Sequence, residues 1–246
     1  MGKVIMSGIV PLLKTPSTGI LAQDIAVGSV VKLMEGGTAV EYLVVNQGKP
    51  SGSSLYDDSC DGTWLLRKDC AGTIAWNSSN YSNDYAKSTS NAYLNNDFFE
   101  LFGPTEKSTI RQVKIPYRAG SGTGSAVTSG ASGLPVKVFY LSFTEVGFNY
   151  SNSSFYTLAP VEGAKLAYFS DDASRIAMNA GTASGWNLRT PYIHSSSSGL
   201  ETRLLVGSTG SDFHTANDKT YGNRPAIVIP SDTLFDASTL ILKGVA

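Results

Sequence analysis

The sequence predicts a mixed α+β fold made mostly of short strands and long loops, with about two helices. The first observation is a hairpin pattern, in which β-branched segments at 27–33 and 40–45 flank a glycine-containing turn at 35–38. The second is a helix pattern that starts near Ser88, whose hydroxyl can cap a first turn. The third is a run of Gly, Ser, Thr and Ala at 119–134, which buries too little apolar surface to fold alone and predicts a long surface loop.

Further strands are predicted by short apolar, β-branched segments along the chain. One follows the hairpin at 63–68. Three more lie in the C-terminal third, at 186–189, 203–206 and 226–229. Pro225 and Pro230 bracket the last segment, and because proline cannot donate a ladder hydrogen bond, we expect a strand that lies near the edge of a sheet or is entered from a turn.

Two helices are predicted from capping signals and from an apolar stripe. The first carries its apolar side chains on one face and ends at Gly103-Pro104, where helical hydrogen bonding stops. Its stripe consists of Tyr93, Leu94, Phe98, Leu101 and Phe102. The second begins at 142–145, where the Ser-x-x-Glu pattern of a capping box follows a predicted strand at 136–141.

The chain is expected to form one domain over residues 27–246, with the loop 119–134 inside it. Strand and helix patterns continue on both sides of that loop, which argues against a linker. The sequence leaves two roles open for the N-terminal segment 1–26, an attachment arm for assembly or a part of the fold. Its apolar run is interrupted by Gly8 and Pro11 and lacks a small-residue cleavage site, so we expect no targeting signal.

Composition excludes some classes of partner. Charged residues make up 16% of the 246 residues and the net charge is −1, so surface polarity must come from Ser, Thr, Asn and Gly. Nucleic acids and anionic membranes attract clustered Lys and Arg, so we expect neither as a partner. No eighteen apolar residues run together, and we expect no membrane insertion. Such a surface suits an extracellular or virion protein that binds through hydrogen bonds.

Motifs that carry catalysis are absent from the sequence. Neither G-x-S-x-G, G-x-x-x-x-G-K nor H-E-x-x-H occurs, and His194 and His214 are the only histidines available as general bases. We therefore expect no catalytic residue and no cofactor.

Metal binding is also not expected. The segment 57–62 begins like a calcium loop, but Lys68 stands where a bidentate carboxylate should close it, so a turn with Asx-type hydrogen bonds is favoured. Cys60 and Cys70 have no further metal ligands nearby in the sequence. A disulfide between them is an alternative, but we expect two reduced, small apolar residues.

Two C-terminal motifs resemble a domain family of uncharacterised function found in gut-bacterial and phage proteins. That family ends with W-x-L-R-[S/T]-P, a variable stretch and G-x-R-P-A, and here Trp186-Asn187-Leu188-Arg189-Thr190-Pro191 and Asn223-Arg224-Pro225-Ala226 match. Weaker matches are 28–33, 93–98 and 140–146, the last of which resembles an L-L-S-x-x-E segment. The resemblance covers about 27 to 230, and 7–16 resembles phage-encoded members in particular.

This resemblance implies a C-type-lectin-like fold, similar to the phage receptor-binding proteins that diversity-generating retroelements modify. In such proteins a rigid scaffold carries binding loops between the two motifs. The second motif position is often aromatic in relatives and is Asn187 here. The acidic and Asn-rich motifs of calcium-dependent lectins are not visible, so calcium-mediated glycan binding is disfavoured.

The motif residues are interpreted as scaffold, because buried Trp and Arg side chains usually fix loops. They are Trp186, Leu188, Arg189, Pro191, Arg224 and Pro225. Trp64 and Trp76 are assigned to the core or its edge. The binding candidates are aromatic, histidine and amide side chains in the polar stretch between the motifs, as in antibody paratopes. They are Tyr192, His194, Phe213, His214, Asn217 and Tyr221.

Three functions remain open from the sequence. The first is a phage virion surface protein that binds a host-cell receptor, a protein or a glycan, through its C-terminal loops. The second is a structural virion component, such as a head decoration or tail-tip subunit. The third, an enzyme acting on cell-wall glycan, is disfavoured because no well-spaced carboxylate pair stands out. The expected partners are other virion proteins, bacterial surface molecules and further copies of this chain, by analogy in a trimer.

Overall fold

A computed structural model describes residues 19–51, 54–78, 82–121, 126–148, 160–192 and 202–246. These residues form a mixed α+β structure dominated by short strands, as predicted. The strands are β1 (Gly19–Leu21), β2 (Val30–Glu35), β3 (Thr38–Gln47), β4 (Thr63–Arg67), β5 (Thr73–Ala75), β6 (Val113–Ile115), β7 (Leu134–Val136), β8 (Ala177–Asn179), β9 (Thr182–Ser184), β10 (Trp186–Tyr192), β11 (Thr202–Val206), β12 (Asp212–Ala216), β13 (Thr220–Gly222), β14 (Ala226–Ile229), β15 (Thr233–Asp236) and β16 (Leu242–Val245). The α-helices are α1 (Thr89–Tyr93), α2 (Pro104–Thr109) and α3 (Asp172–Arg175). Single 3-10 turns span Ala22–Asp24, Asp58–Cys60, Tyr85–Lys87 and Gly130–Ser132.

The predicted hairpin is confirmed and starts a four-stranded sheet of order β14-β4-β3-β2. Glu35 pairs with Thr38 across a two-residue turn, in which Gly36 and Gly37 have φ angles of 59° and 78°. Two positive φ angles define a type I′ turn, which glycine adopts without steric strain and which matches the twist of the strands. Strand β14 lies at the sheet edge, as its flanking prolines predicted.

A second, five-stranded sheet contains both ends of the stretch between the two motifs. Its order is β12-β11-β10-β13-β5, with β10 and β13 parallel and the other pairs antiparallel. Strand β10 carries the first motif and is buried along its whole length. The β11–β12 hairpin projects from it, so β12 is an edge strand whose first three residues are exposed.

The third sheet includes part of the N-terminal segment. Strand β1 pairs with β15, which also pairs with β16. Ala22 and Ile25 are buried, and the side-chain amide of Gln47 donates to both of their carbonyls at 2.8 Å. Residues 19–26 therefore belong to the fold, because their backbone and side chains complete the core. The rest of the segment, 1–18, lies outside the described residues.

The first helix begins as predicted and continues to Glu100, but its middle is a π-helical turn. The Ser88 hydroxyl accepts from the backbone N–H of Asn91 at 3.1 Å, which caps α1. The chain then widens into a π-helical turn over Leu94–Phe98. The inclusion of Leu101 in the apolar stripe was wrong, since its side chain is 42% exposed. Gly103 ends the helical segment, and Pro104 starts α2 at the first helical position, which needs no N–H donor.

The strand predicted at 136–141 and the helix predicted after it are not formed. Strand β7 ends at Val136, and beyond it the side-chain carbonyl of Asn95 accepts from the N–H groups of residues 137 and 138 in place of a neighbouring strand. Ser142 and Glu145 do make the reciprocal bonds of a capping box, at 2.8 and 3.1 Å. They close a turn rather than a helix, and Gly147 leaves it with a φ of 83°.

Aromatic side chains dominate the core. All three tryptophans are fully buried, and Trp64 makes edge-to-face contacts with Tyr56 and Phe139 at ring-centroid distances of 5.7 and 5.5 Å. Cys60 and Cys70 are buried free thiols, as the sequence led us to expect. Within the described ranges, no helix is long and apolar enough to cross a membrane.

Candidate binding surface

The tryptophan of the first motif and the arginine of the second meet at one backbone carbonyl. The indole N–H of Trp186 donates to the carbonyl oxygen of Arg175 at 2.9 Å, and Nη1 of Arg224 donates to the same oxygen at 3.2 Å. The Arg224 guanidinium also lies 4.7 Å from the Trp186 ring centroid, a cation–π contact. The two ends of the intervening stretch are thus fastened to each other and to α3.

Arg189 joins the first motif to the Ser-x-x-Glu turn. It is fully buried, and its NH1 and NH2 groups contact both carboxylate oxygens of Glu145, at 2.6 and 2.8 Å. Its remaining donors bind the carbonyls of Pro116, Tyr140 and Glu162, each at 3.0 Å. All five N–H donors of the guanidinium are used, so this motif residue joins β10 to three other segments, at 116, 140–145 and 162, and has no donor left for a ligand.

A third buried arginine, Arg203, lies on β11, within the stretch between the motifs. Nε of Arg203 donates to Oδ1 of Asn187 at 3.0 Å, and its other nitrogens donate to the carbonyls of Ala216 and Lys219. Its guanidinium also packs 5.6 Å from the Tyr221 ring centroid. Burial lowers the pKa of Arg203 to about 10, which still leaves it charged at neutral pH. Asn187, the departure from the family pattern, therefore serves as a polar partner for this arginine.

All the motif residues interpreted as scaffold are buried in the structure. Leu188 is fully buried, and its carbonyl accepts from the Trp76 indole at 2.9 Å. Pro191 and Pro225 are buried as well. None of these side chains can therefore contact a ligand at the surface.

Four of the six binding candidates form two pairs of rings on opposite faces of the edge of the second sheet. Tyr192 and His214 lie 4.5 Å apart between ring centroids, His214 and Phe213 6.1 Å, and Phe213 and Tyr221 6.4 Å. We call these four residues the aromatic row. Phe213 is 47% exposed, and among the described Phe, Tyr and Trp residues no other is classed as exposed. A ring of this size on an exposed strand is a candidate contact residue.

Three of the binding candidates need correction or lie outside the structure. Asn217 is fully buried and its side-chain amide donates to the carbonyl of Ser82 at 2.9 Å, so it holds a loop and cannot reach a ligand. Tyr192 is only 5% exposed because His214 covers it, which makes it a support for the row. His194 lies outside the described residues.

A cavity next to the aromatic row was missed by the sequence interpretation. It has a volume of about 340 Å³ and opens between the β11–β12 turn and the rings of Phe213 and Tyr221. The turn contributes Ser208, Thr209 and Ser211. The only signal in the sequence was the glycine pair at 207 and 210, which predicts a tight turn but not a cavity.

No metal site is formed by the part of the chain that the structure describes. No group of three or more His, Cys, Asp or Glu side chains lies close enough there to hold an ion. In the segment that begins like a calcium loop, the Asp57 carboxylate instead accepts from the backbone N–H of Ser59 at 2.9 Å and caps the 3-10 turn at Asp58–Cys60.

The fold does bring two carboxylates together, at Glu145 and Glu162. Both contact Arg189 or its neighbours, and neither has exposed surface. Burial raises the pKa of Glu162. Because no solvent reaches either group, this pair cannot act on a polysaccharide at the surface.

Comparison with known proteins gives one match. No curated protein and no solved structure matches the chain. Residues 61–231, from just before β4 to just after β14, match the family described as Domain of unknown function (DUF6273). The match includes both motifs, the buried arginines and the aromatic row, and covers well over half of the chain, so this protein belongs to the DUF6273 family.

Proposed function

We propose that this protein is a phage virion surface protein that binds a receptor on the bacterial cell surface through the stretch between its two motifs. The fold we propose for it is C-type-lectin-like. The observation that supports the binding role is the exposure of Phe213, the one exposed Phe, Tyr or Trp side chain among the described residues. Phe213 lies between the two motifs, which buried arginines hold in place.

Buried residues hold the scaffold and separate, exposed residues form the surface, which supports a recognition role. The Trp186 indole and all five donors of Arg189 are engaged in hydrogen bonds, and Arg224 donates to two backbone carbonyls, so the scaffold is held by buried contacts. An exposed ring on a rigid support binds with a small loss of conformational entropy. Assignment to a phage virion rests on the resemblance of the two motifs and of residues 7–16 to phage-encoded members.

The C-type-lectin-like fold is supported by the organisation of the strands. Most of the described chain lies in short strands and irregular connections, and the three α-helices have six residues or fewer. Strand β1 pairs with β15, so the two ends of the described chain are joined in one sheet. A scaffold closed in this way leaves the stretch between the motifs free to carry a binding surface.

Binding to cells tests the proposal. Fluorescently labelled protein is incubated with a panel of gut-bacterial strains, and bound protein is measured by flow cytometry. We expect Phe213→Ala combined with His214→Ala to lower binding at least about tenfold on every strain that the unmodified protein binds. Tyr192 stays unchanged because it is buried and its truncation would affect folding.

The matched control is Leu101→Ala, which truncates a side chain of similar exposure, 42%, outside the aromatic row. It should bind as the unmodified protein does. Equal binding by the double variant, with unchanged circular dichroism and thermal unfolding, contradicts the proposal. A loss of particle incorporation without a loss of cell binding favours the alternative, a structural virion subunit. Light scattering of the purified protein tests the trimer that we propose by analogy.

A further inference from the structure

We infer that the cavity between the β11–β12 turn and the aromatic row binds one neutral sugar ring of a surface glycan, without calcium. The inference rests on the proposed receptor-binding function and names the ligand class for it. The cavity, at about 340 Å³, lies at the lower end of the volumes of small-ligand pockets, roughly 300–1,000 Å³. It can therefore enclose a single ring, while the rest of a glycan chain extends into solvent.

Two aromatic rings form the apolar side of this cavity. Phe213 and Tyr221 meet at 49° with ring centroids 6.4 Å apart. Leu205 lies on the same sheet face as Phe213, because the two residues are directly paired across the antiparallel strands. A pyranose ring has one face made of C–H groups, and such a face gains most by contact with a flat apolar surface.

Hydroxyl groups form the opposite, polar side. The hydroxyls of Thr209 and Ser211 lie 3.0 Å apart and share one hydrogen bond, and Ser208 adds a third hydroxyl at the exposed rim. Each hydroxyl both donates and accepts, as sugar hydroxyls do, so the two sets can form a continuous chain of hydrogen bonds. A purely apolar ligand would leave these groups without a new partner.

The absence of charge on the lining selects a neutral sugar. None of the residues that line the cavity is Asp, Glu, Lys, Arg or His. A uronic acid or a sugar phosphate would meet no cation there, and a calcium ion would find no carboxylate. Asp212 lies between Ser211 and Phe213 in the sequence, but strand alternation directs its side chain to the other face of the sheet.

Hydrogen bonds and close packing hold the residues around the cavity in place. The N–H of Gly207 donates to the carbonyl of Ser211 at 2.7 Å and closes the turn. Gly210 has a φ of 84° and packs so tightly that a Cβ would lie 1.9 Å from the carbonyl oxygen of Asp172. Tyr221 is held from below by Arg203. Gly185 has no side chain between Leu205 and Tyr221, which keeps the cavity open.

Saturation-transfer NMR on the intact protein tests the inference. The probes are methyl α-D-glucopyranoside, methyl β-D-galactopyranoside and methyl N-acetyl-β-D-glucosaminide, with glucuronate and glucose 6-phosphate as charged counterparts. We expect at least one neutral glycoside to receive saturation from the protein's aromatic protons, with no change on addition of EDTA. Phe213→Ala and Ser211→Ala should each weaken that binding, the former about tenfold or more. Leu101→Ala and Ser132→Ala are the matched controls, since both side chains are exposed and neither lines the cavity.

The inference is overturned if no neutral glycoside binds, if a charged counterpart binds as tightly, or if EDTA abolishes binding. It is also overturned if Ser211→Ala binds sugar as well as the unmodified protein does. Cell binding separates this failure from that of the proposed function. A different outcome is cell binding that depends on Phe213 and yet is unchanged by Ser211→Ala and by an excess of the glycosides. In that case the sugar site is wrong and the receptor-binding role stands.

Discussion

Replacing Arg189 by methionine should destabilise the fold severely. The substitution keeps much of the side-chain volume but removes both contacts to Glu145 and three contacts to backbone carbonyls. Removing one partner of a buried ion pair costs about 3–5 kcal/mol, because the other charge stays buried and unpaired. Each buried carbonyl left without a donor adds about 1 kcal/mol or more. We therefore expect a loss of at least about 4 kcal/mol, a large part of the roughly 5–15 kcal/mol that holds a domain folded.

Urea unfolding, followed by tryptophan fluorescence, measures this loss. All three tryptophans are fully buried, so the signal reports global unfolding. Arg111→Met, at a partly exposed arginine, serves as the control and should cost about 0.5 kcal/mol or less. Adding Glu145→Gln to the Arg189→Met variant removes the unpaired charge and should restore part of the stability. A loss below about 2 kcal/mol for Arg189→Met, or no gain from the second substitution, refutes the role assigned to this pair.

Two further predictions concern a buried acid and a tight turn. Burial raises the pKa of Glu162, so the folded state binds its proton more tightly than the unfolded chain does, and stability should fall as the pH rises from the ordinary glutamate pKa through the raised one. For Glu162→Gln, the free energy of unfolding measured in urea should change less steeply with pH between about pH 4 and 8. An unchanged pH dependence contradicts the assignment. Gly210→Ala should lose more thermal stability than Gly181→Ala, since both glycines have nearly equal positive φ, 84° and 82°, but only the former has a neighbour within 4 Å. The strain from a positive φ alone costs about 1–2 kcal/mol at either position. Equal losses of thermal stability from the two substitutions would show that the contact of Gly210 with Asp172 does not matter.

The elements that the sequence predicted well are those with local causes. The hairpin at Glu35–Thr38 follows from two adjacent glycines, the start of α1 from the Ser88 cap, and the edge position of β14 from its flanking prolines. In each case the deciding interaction spans only a few residues. Such interactions are visible in the sequence, because they depend on neighbours that are known in advance.

The errors arose where a distant partner determines the conformation. Glu145 makes the capping-box bonds with Ser142, but its carboxylate is also the partner of Arg189, and this contact holds the segment as a turn. The amide of Asn95 similarly replaces a strand partner beyond β7. Neither contact has a signal in the local sequence, so local patterns predicted a strand and a helix that do not form.

The motifs identified the family but not the ligand, because the motif residues are buried in the scaffold. Arg189 and Arg224 each donate to more than one acceptor, and the Trp186 indole donates to one. A substitution at any of these positions therefore removes hydrogen bonds from the scaffold. Phe213 and Ser208 are exposed and satisfy no buried group, so substitutions there change the binding surface at little cost to the fold. A protein built in this way can change its ligand without changing its motifs. The ligand specificity that we propose therefore depends on the geometry of the cavity and the aromatic row.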